Sequence, residues 1–421
     1  MFKKTTFQNG LRLITIPQES ARAVTALILV GTGSKYETKE NNGISHFLEH
    51  MYFKGTKKRP TPLALIEPLD RVGAIYNAFT SEEYTGYFAK VRSSHIDLAL
   101  DWISDIYLGS LLPPKEIEKE RGVIIEEINM YLDMPMLYVG ELWKKLLYGD
   151  QPAGWEIIGT KENVASITRQ QIFNYMKSQY VATNTVICLA GKFSEVGIIK
   201  EVKKYFSKIR TASSKTKLPV IEKQNKPQVL LYPKKTDQTH LTLGVRAYNL
   251  LHHKRFVQEV LGVILGGMMS SRLFVEIREK LGIAYYIKTN THLDPDTGYL
   301  VTQAGIDNKN VEKAIPIILR EYKKISRKRI PAKELKKAKE YIKGKTALEL
   351  ESSDAQAAFY AGQELLENRI LTPEEIYKKI DKVSQNDILE IAKDVFRPEK
   401  LNLALIGPFK DKARLQQLLK L

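Results

Sequence analysis

The chain has 421 residues, 43% of them hydrophobic and 27% charged, with a net charge of +17. That length and apolar content allow roughly two to four core-bearing units and exclude a disordered chain. No apolar run approaches the ~18–20 residues of a membrane-spanning helix, and the single cysteine, Cys188, excludes an internal disulfide. The segment Met1-Phe2-Lys3-Lys4-Thr5-Thr6 has no apolar run behind its positive charge, so no secretory signal and a cytoplasmic setting are expected. The basic residues spread into amphipathic patterns such as Lys336-Lys337-Ala338-Lys339-Glu340. With no basic arm, zinc knuckle or aromatic RNA-binding signature, they read as solvated faces, and no nucleic-acid partner is expected.

In chain order, alternating and continuous apolar runs predict strands over 11–16 and 23–30, followed by a helix over 44–54. That helix holds the most informative word of the chain, His46-Phe47-Leu48-Glu49-His50. Residues three and four apart share a helix face, so His46, Glu49 and His50 project together. Two imidazoles on one face can bind zinc, and a neighbouring carboxylate can take a proton from water that the metal activates. Ile44, Phe47, Leu48 and Met51 supply an apolar side to bury, and Gly43 and Gly55 bracket the segment.

Beyond it, a helix is expected over 62–72, strands over 76–80 and 84–91, and a helix over 94–110. The next helix, over 114–132, starts after Pro113 with acidic first turns. A catalytic zinc needs a third protein ligand. Glu120 and Glu127, seven residues apart on this helix, share a face and are candidates, although a charged surface helix explains any single glutamate more commonly. A helix over 168–178, a strand over 185–190 containing Cys188, and a helix over 194–208 complete the first half. Polar residues 211–226 read as a linker.

The second half predicts strands near 228–233, 239–246, 284–292, 298–305 and 401–406, with long helices between. It also repeats the first. Residues 166–193 align without gaps onto 382–409 at an offset of 216, pairing Ile172 with Ile388, Tyr180 with Phe396 and Gly191 with Gly407. A period of half the chain means two similar domains, expected over 1–210 and 227–421. Antiparallel-type sheets with helices on one face make an α+β fold. His252 and His253 are adjacent, so they diverge on a helix and make a poor ligand pair. The second domain carries no other metal motif.

The reversed order His-x-x-Glu-His, followed by Glu120-Arg121-Gly122-Val123-Ile124-Ile125-Glu126-Glu127, resembles the pitrilysin-type (inverzincin) zinc metallopeptidases, in particular the short-chain branch with the mitochondrial processing peptidases and their bacterial homologues. The flanking words Gly43-Ile44-Ser45 and Asn77-Ala78-Phe79-Thr80-Ser81 agree, and the resemblance runs from about residue 5 to the C-terminus. It implies zinc, one ion per chain, held by His46, His50 and Glu127, the last placed 77 residues after His50 as the family gap requires. It implies Glu49 as general base and Glu120 as a supporting residue that is not a ligand. Within Gly266–Tyr285 the resemblance assigns Arg278 and Tyr285 to contacts with bound peptide, where their donors suit a carbonyl or developing oxyanion. It places an extended peptide substrate on the strand of Asn77, Ala78 and Phe79 by edge addition, and the two domains as one half of a clamshell. It further implies a homodimer or a heterodimer with a related subunit. The activity implied is endoproteolysis of unfolded peptides or precursor segments. The alternative is a non-catalytic or partner-dependent subunit of a processing-peptidase-like complex.

Overall fold

The computed structural model describes residues 2–421. In chain order the elements are β1 (Lys3–Thr6), β2 (Arg12–Pro17), β3 (Ala23–Val30), α1 (Ile44–Met51), α2 (Pro62–Asp70), β4 (Ile75–Thr80), β5 (Thr85–Arg92), α3 (Ile96–Gly109), α4 (Pro114–Asp133), α5 (Pro135–Tyr148), α6 (Lys161–Ser166), α7 (Arg169–Gln179), β6 (Thr185–Gly191) and α8 (Glu195–Tyr205). After a stretch without helix or strand come β7 (Gln228–Pro233), β8 (Gln238–Arg246), α9 (Arg255–Gly262), β9 (Ala284–Leu293), β10 (Gly298–Asp307), α10 (Val311–Arg327), α11 (Ala332–Glu349), α12 (Ser353–Glu367), α13 (Pro373–Asp381), α14 (Gln385–Val395), β11 (Leu401–Gly407) and α15 (Lys412–Gln417). Two π-helical runs, Val263–Gly267 and Phe274–Lys280, follow α9.

These elements form two compact units, neither continuous in sequence. The first comprises the chain up to Asn129, Trp155–Leu218 and Leu348–Ile370; the second comprises Met130–Gly154, Pro219–Ala347 and Leu371–Leu421. The chain thus passes between the units five times, and one of these passages, at 218–219, falls within residues 211–226. Two helices, however, lie outside the expected halves: α5 belongs to the second unit and α12 to the first.

Among the described residues, the first unit has a six-stranded sheet in the order β1-β2-β6-β3-β5-β4, and the second a five-stranded sheet in the order β7-β11-β8-β10-β9. The α+β architecture stands, but each sheet is mixed rather than wholly antiparallel. β2 runs parallel to β6, and β7 parallel to β11. The repeat is visible in both. Thr168 and Ser384 each close a capping box at the start of α7 and α14, and each helix leads into a strand, β6 or β11, buried along its whole length.

That burial corrects the expectation of helices on one face only. In β6, alternate residues Val186, Cys188 and Ala190 pack with Ala357 and Ala361 of α12. In β11, Ala404 and Ile406 pack with Tyr138, Val139 and Leu142 of α5, while Leu401, Leu403 and Leu405 enter the main core of the second unit. A strand covered on both sides loses its alternation and reads as a continuous apolar run. Lys4 Nζ lies 2.6 Å from the buried Glu364 of α12, which ties β1 to the same helix. Ala357 and Ala361 are fully buried, so the helix sits close to the sheet. Ala361→Leu is therefore expected to overpack this layer and cost about 1–3 kcal/mol, read by urea unfolding. An unchanged midpoint would contradict the close packing.

β4 pairs only with β5 and is an edge strand of its sheet. Along it, Phe79 packs with the α12 side, while Thr80 turns towards α1.

Candidate metal centre

α1 is shorter than its predicted span. Its regular part ends at Met51, and a tighter turn closes it, with the N–H groups of Tyr52, Phe53 and Lys54 donating to the carbonyls of Glu49, His50 and Met51, each at 3.2 Å. Gly43 precedes it with φ +97°, and a Cβ there would meet the Ile158 carbonyl oxygen at 2.6 Å, so only glycine fits. Ile44, Phe47, Leu48 and Met51 are fully buried, as the pattern predicts, and this fixes the rotation of the helix about its axis. His46, Glu49 and His50 consequently share the remaining face.

α4 lies alongside. Arg121 anchors it: its guanidinium donates to the carbonyls of Val164 and Ile167 and sits 5.7 Å from the Phe47 ring centroid. Glu120 and Glu127, two turns apart or about 10.5 Å along the axis, then bracket one imidazole. His50 Nδ1 lies 2.9 Å from Glu120 Oε1, and His50 Nε2 lies 3.6 Å from Glu127 Oε2. His46 Nε2 lies 3.8 Å from the same Glu127 oxygen. His46, His50 and Glu127 each offer a ligand atom within 4.8 Å of the others. Tetrahedral zinc with ligands at about 2.0–2.1 Å would bring such atoms to roughly 3.3 Å from one another. The two distances to Glu127 lie within about half an ångström of that spacing, and all three atoms lie within 4.8 Å of one another, so these residues fit the ion.

Burial acts differently on each group: it raises the Glu127 carboxyl, with His50 opposing and Glu120 adding to the rise. Burial, then the neighbouring His50, pushes His46 down to about 3, leaving a neutral imidazole with a free lone pair. Burial alone would lower His50, but the hydrogen bond with Glu120 and the charges of Glu49, Glu120 and Glu127 outweigh it and raise the group. Glu120 is itself buried, which would raise it; hydrogen bonds from His50 and Lys54 prevail and hold it below its ordinary range. Lys54 Nζ stands 2.5 Å from Glu120 Oε2. Glu120 thus meets His50 Nδ1 while Nε2 faces Glu127, the arrangement of an outer partner that orients a metal-binding imidazole. Glu120→Gln is expected to weaken zinc binding by about 10–100-fold in a chelator competition, as loss of such a partner does elsewhere; an unchanged affinity would contradict the orienting role.

Glu49 is not one of the three residues His46, His50 and Glu127 whose atoms converge. Its Oε2 accepts a 2.7 Å hydrogen bond from Thr80 Oγ1 on the edge strand β4. Burial raises its carboxyl above the ordinary range, with Thr80 and His50 opposing and Glu127 adding to the rise. Thr80 and Lys54 were not singled out from the sequence, although Thr80 lies in a flanking word and Lys54 four residues after His50. Neither has a periodicity that marks it.

The cluster is built by the first unit alone. Arg278 and Tyr285 belong to the second, Arg278 on the π-helical run Phe274–Lys280 and Tyr285 near the start of β9. Arg278 forms no ion pair on its own helix: its guanidinium lies 5.8 Å from the Phe274 ring, while Glu276 pairs with Lys280 and Arg320. Tyr285 is 72% exposed.

Comparison with known proteins identifies the family. Residues 12–161 match the insulinase family (peptidase family M16), and residues 166–342 match the M16 inactive domain. The chain is 36% identical to a Bacillus subtilis protein named uncharacterized zinc protease YmxG, over 97% of this chain and 98% of that one. It is 32% identical to an uncharacterized zinc protease of Streptomyces coelicolor, over 97% of this chain and 90% of that one. Among solved structures, a protease from Helicobacter pylori superimposes with a TM-score of 0.90 at 22% identity, covering 97% of this chain and 99% of that one. A chain of complex III2 from Candida albicans does so at 0.82 and 20% identity, covering all of both chains. The chain belongs to the M16 family, the insulinase or pitrilysin-type zinc proteases.

Proposed function

We propose that this chain is a zinc-dependent endopeptidase acting on unfolded peptides or precursor segments, with one zinc per chain held by His46, His50 and Glu127. The observation that carries this reading is the convergence of His46 Nε2, His50 Nε2 and one Glu127 oxygen, with a partly buried carboxylate, Glu49, on the same helix face. Bound zinc would supply a Lewis acid and bring the pKa of its water towards ~7. Glu49 takes the proton of the attacking water and hands it to the leaving amine. A base raised above its ordinary range by burial suits both transfers.

The substrate reading rests on β4. Its outer edge has no partner strand, and its Thr80 is hydrogen-bonded to Glu49. A peptide added to that edge beside Asn77, Ala78 and Phe79 would run past the base. Main-chain pairing tolerates many sequences but demands an extended substrate. Arg278 and Tyr285 are assigned to peptide contacts; the lack of an ion pair at Arg278 and the exposure of Tyr285 leave both donors available. The reading includes a dimer, with itself or with a related subunit, and a cytoplasmic setting. No helix among the described residues is long and apolar enough to cross a membrane.

The second reading is a subunit that needs a related partner. It is favoured by the match of residues 166–342 to an inactive domain. Zinc-loaded chain incubated with unstructured peptides separates the two readings. Fragments from the chain alone support a self-sufficient peptidase. Intact peptides in the presence of bound zinc, with cleavage appearing only when a related subunit is added, establish the second.

A further inference from the structure

The eight residues of α1 are too few to make a stable helix by themselves. Its N-cap, Gly43, has no side chain to satisfy the first free N–H groups. The missing acceptor comes from Glu37, which is 3% exposed. Glu37 Oε2 accepts from the Gly43 N–H at 2.8 Å and from Asn42 Nδ2 at 2.9 Å, and Oε1 accepts from the Ser45 N–H at 2.8 Å. Ser45 immediately precedes His46. Its hydroxyl lies 2.7 Å from Tyr175 OH, which in turn lies 2.7 Å from Thr32 Oγ1. Tyr175 belongs to α7 and Thr32 follows β3, so the first turn of α1 is fastened both to a helix and to the end of a sheet strand.

We infer that Glu37 and Tyr175 are positioning residues that clamp the first turn of α1 and so set the direction in which His46 and His50 are presented to the metal. The inference rests on the metal-site reading. Several features support it. The carboxylate faces the positive end of the helix dipole, the orientation that favours an anion. Burial pushes this carboxyl up to about 7, against hydrogen bonds from Ser45, Gly43 and Asn42 that hold it down. No shorter route fixes the turn, because glycine is the only residue that fits at 43. In Glu37→Gln one acceptor oxygen becomes an NH2 group facing N–H donors, so the turn loses part of its restraint without losing volume.

The test measures zinc affinity by chelator competition, together with the melting temperature of the metal-free protein. Glu37→Gln is expected to weaken zinc binding about 10–100-fold, as loss of other outer partners does, and, at saturating zinc, to lower kcat with KM little changed. Glu37→Asp, which keeps the charge, should regain part of that affinity. The exposed Glu40→Gln serves as control and should bind as wild type. A Glu37→Gln protein that melts lower yet binds zinc normally would overturn the inference, as would an equal loss in the Glu40 control. If Glu37→Gln does not fold, Tyr175→Phe carries the test: a several-fold loss is expected, and normal affinity overturns the clamp. A wild-type chain that binds no zinc would defeat the metal reading as well, whereas normal binding by the variants defeats this inference alone.

Discussion

Glu49→Gln is expected to retain zinc and to lose peptide hydrolysis by about 10²–10⁴-fold, the usual worth of a positioned general base. The amide fills the same space on α1 and can still accept the hydrogen bond from Thr80, so neither the fold nor the ligand set should change. What disappears is the ability to take a proton. Glu49 accepts a hydrogen bond from Thr80 of β4 and is raised by burial, both of which suit a base. The measurement is kcat at matched zinc occupancy. A variant that cleaves at the wild-type rate would remove Glu49 from the chemistry, and one that loses its zinc would make Glu49 part of the ligand set.

The second large effect separates two adjacent residues. Glu127→Ala should weaken zinc binding by more than the about 10–100-fold that loss of an outer partner costs, because it removes the oxygen facing both imidazoles at 3.6 and 3.8 Å. Glu126→Ala should leave the affinity unchanged. Glu126 is exposed, its carboxylate accepts from Asn129 at 3.3 Å, and it is not among the converging residues. Equal losses in the two variants would mean that α4 presents a different face to the metal.

The site was legible where its chemistry is local. One turn of helix sets the spacing of His46, Glu49 and His50, so a five-residue word carries their geometry. Glu120 and Glu127 share a face by the same arithmetic, but periodicity alone could not say which of them turns to the metal. The resemblance chose Glu127, and the structure supplies the physical division: Glu120 meets His50 Nδ1 while Glu127 faces Nε2. Glu37 was invisible because its partners, two backbone N–H groups and the Asn42 amide, are brought to it by the fold. No residue pattern marks such an acceptor.

The fold shows the same boundary between local and distant. The helix-to-strand repeat at an offset of 216 appears in the structure at α7–β6 and α14–β11, because caps and apolar runs are local signals. The memberships of α5 and α12 were not legible. An amphipathic helix records that it buries a face, but not which sheet receives it. The parallel neighbours of β6 and β11 are likewise set by crossovers far apart in sequence. β1, Lys-Lys-Thr-Thr, escaped notice because a short polar edge strand has no apolar alternation to read.

The central claim is a hydrolytic site that depends on zinc at this cluster. The most direct test strips the chain of metal, adds zinc back in steps and follows the cleavage of an unstructured peptide mixture by mass spectrometry. The account predicts no fragments from the stripped chain and a rate that rises with zinc and levels off at one ion per chain. Cleavage by the stripped chain at the full rate would contradict it.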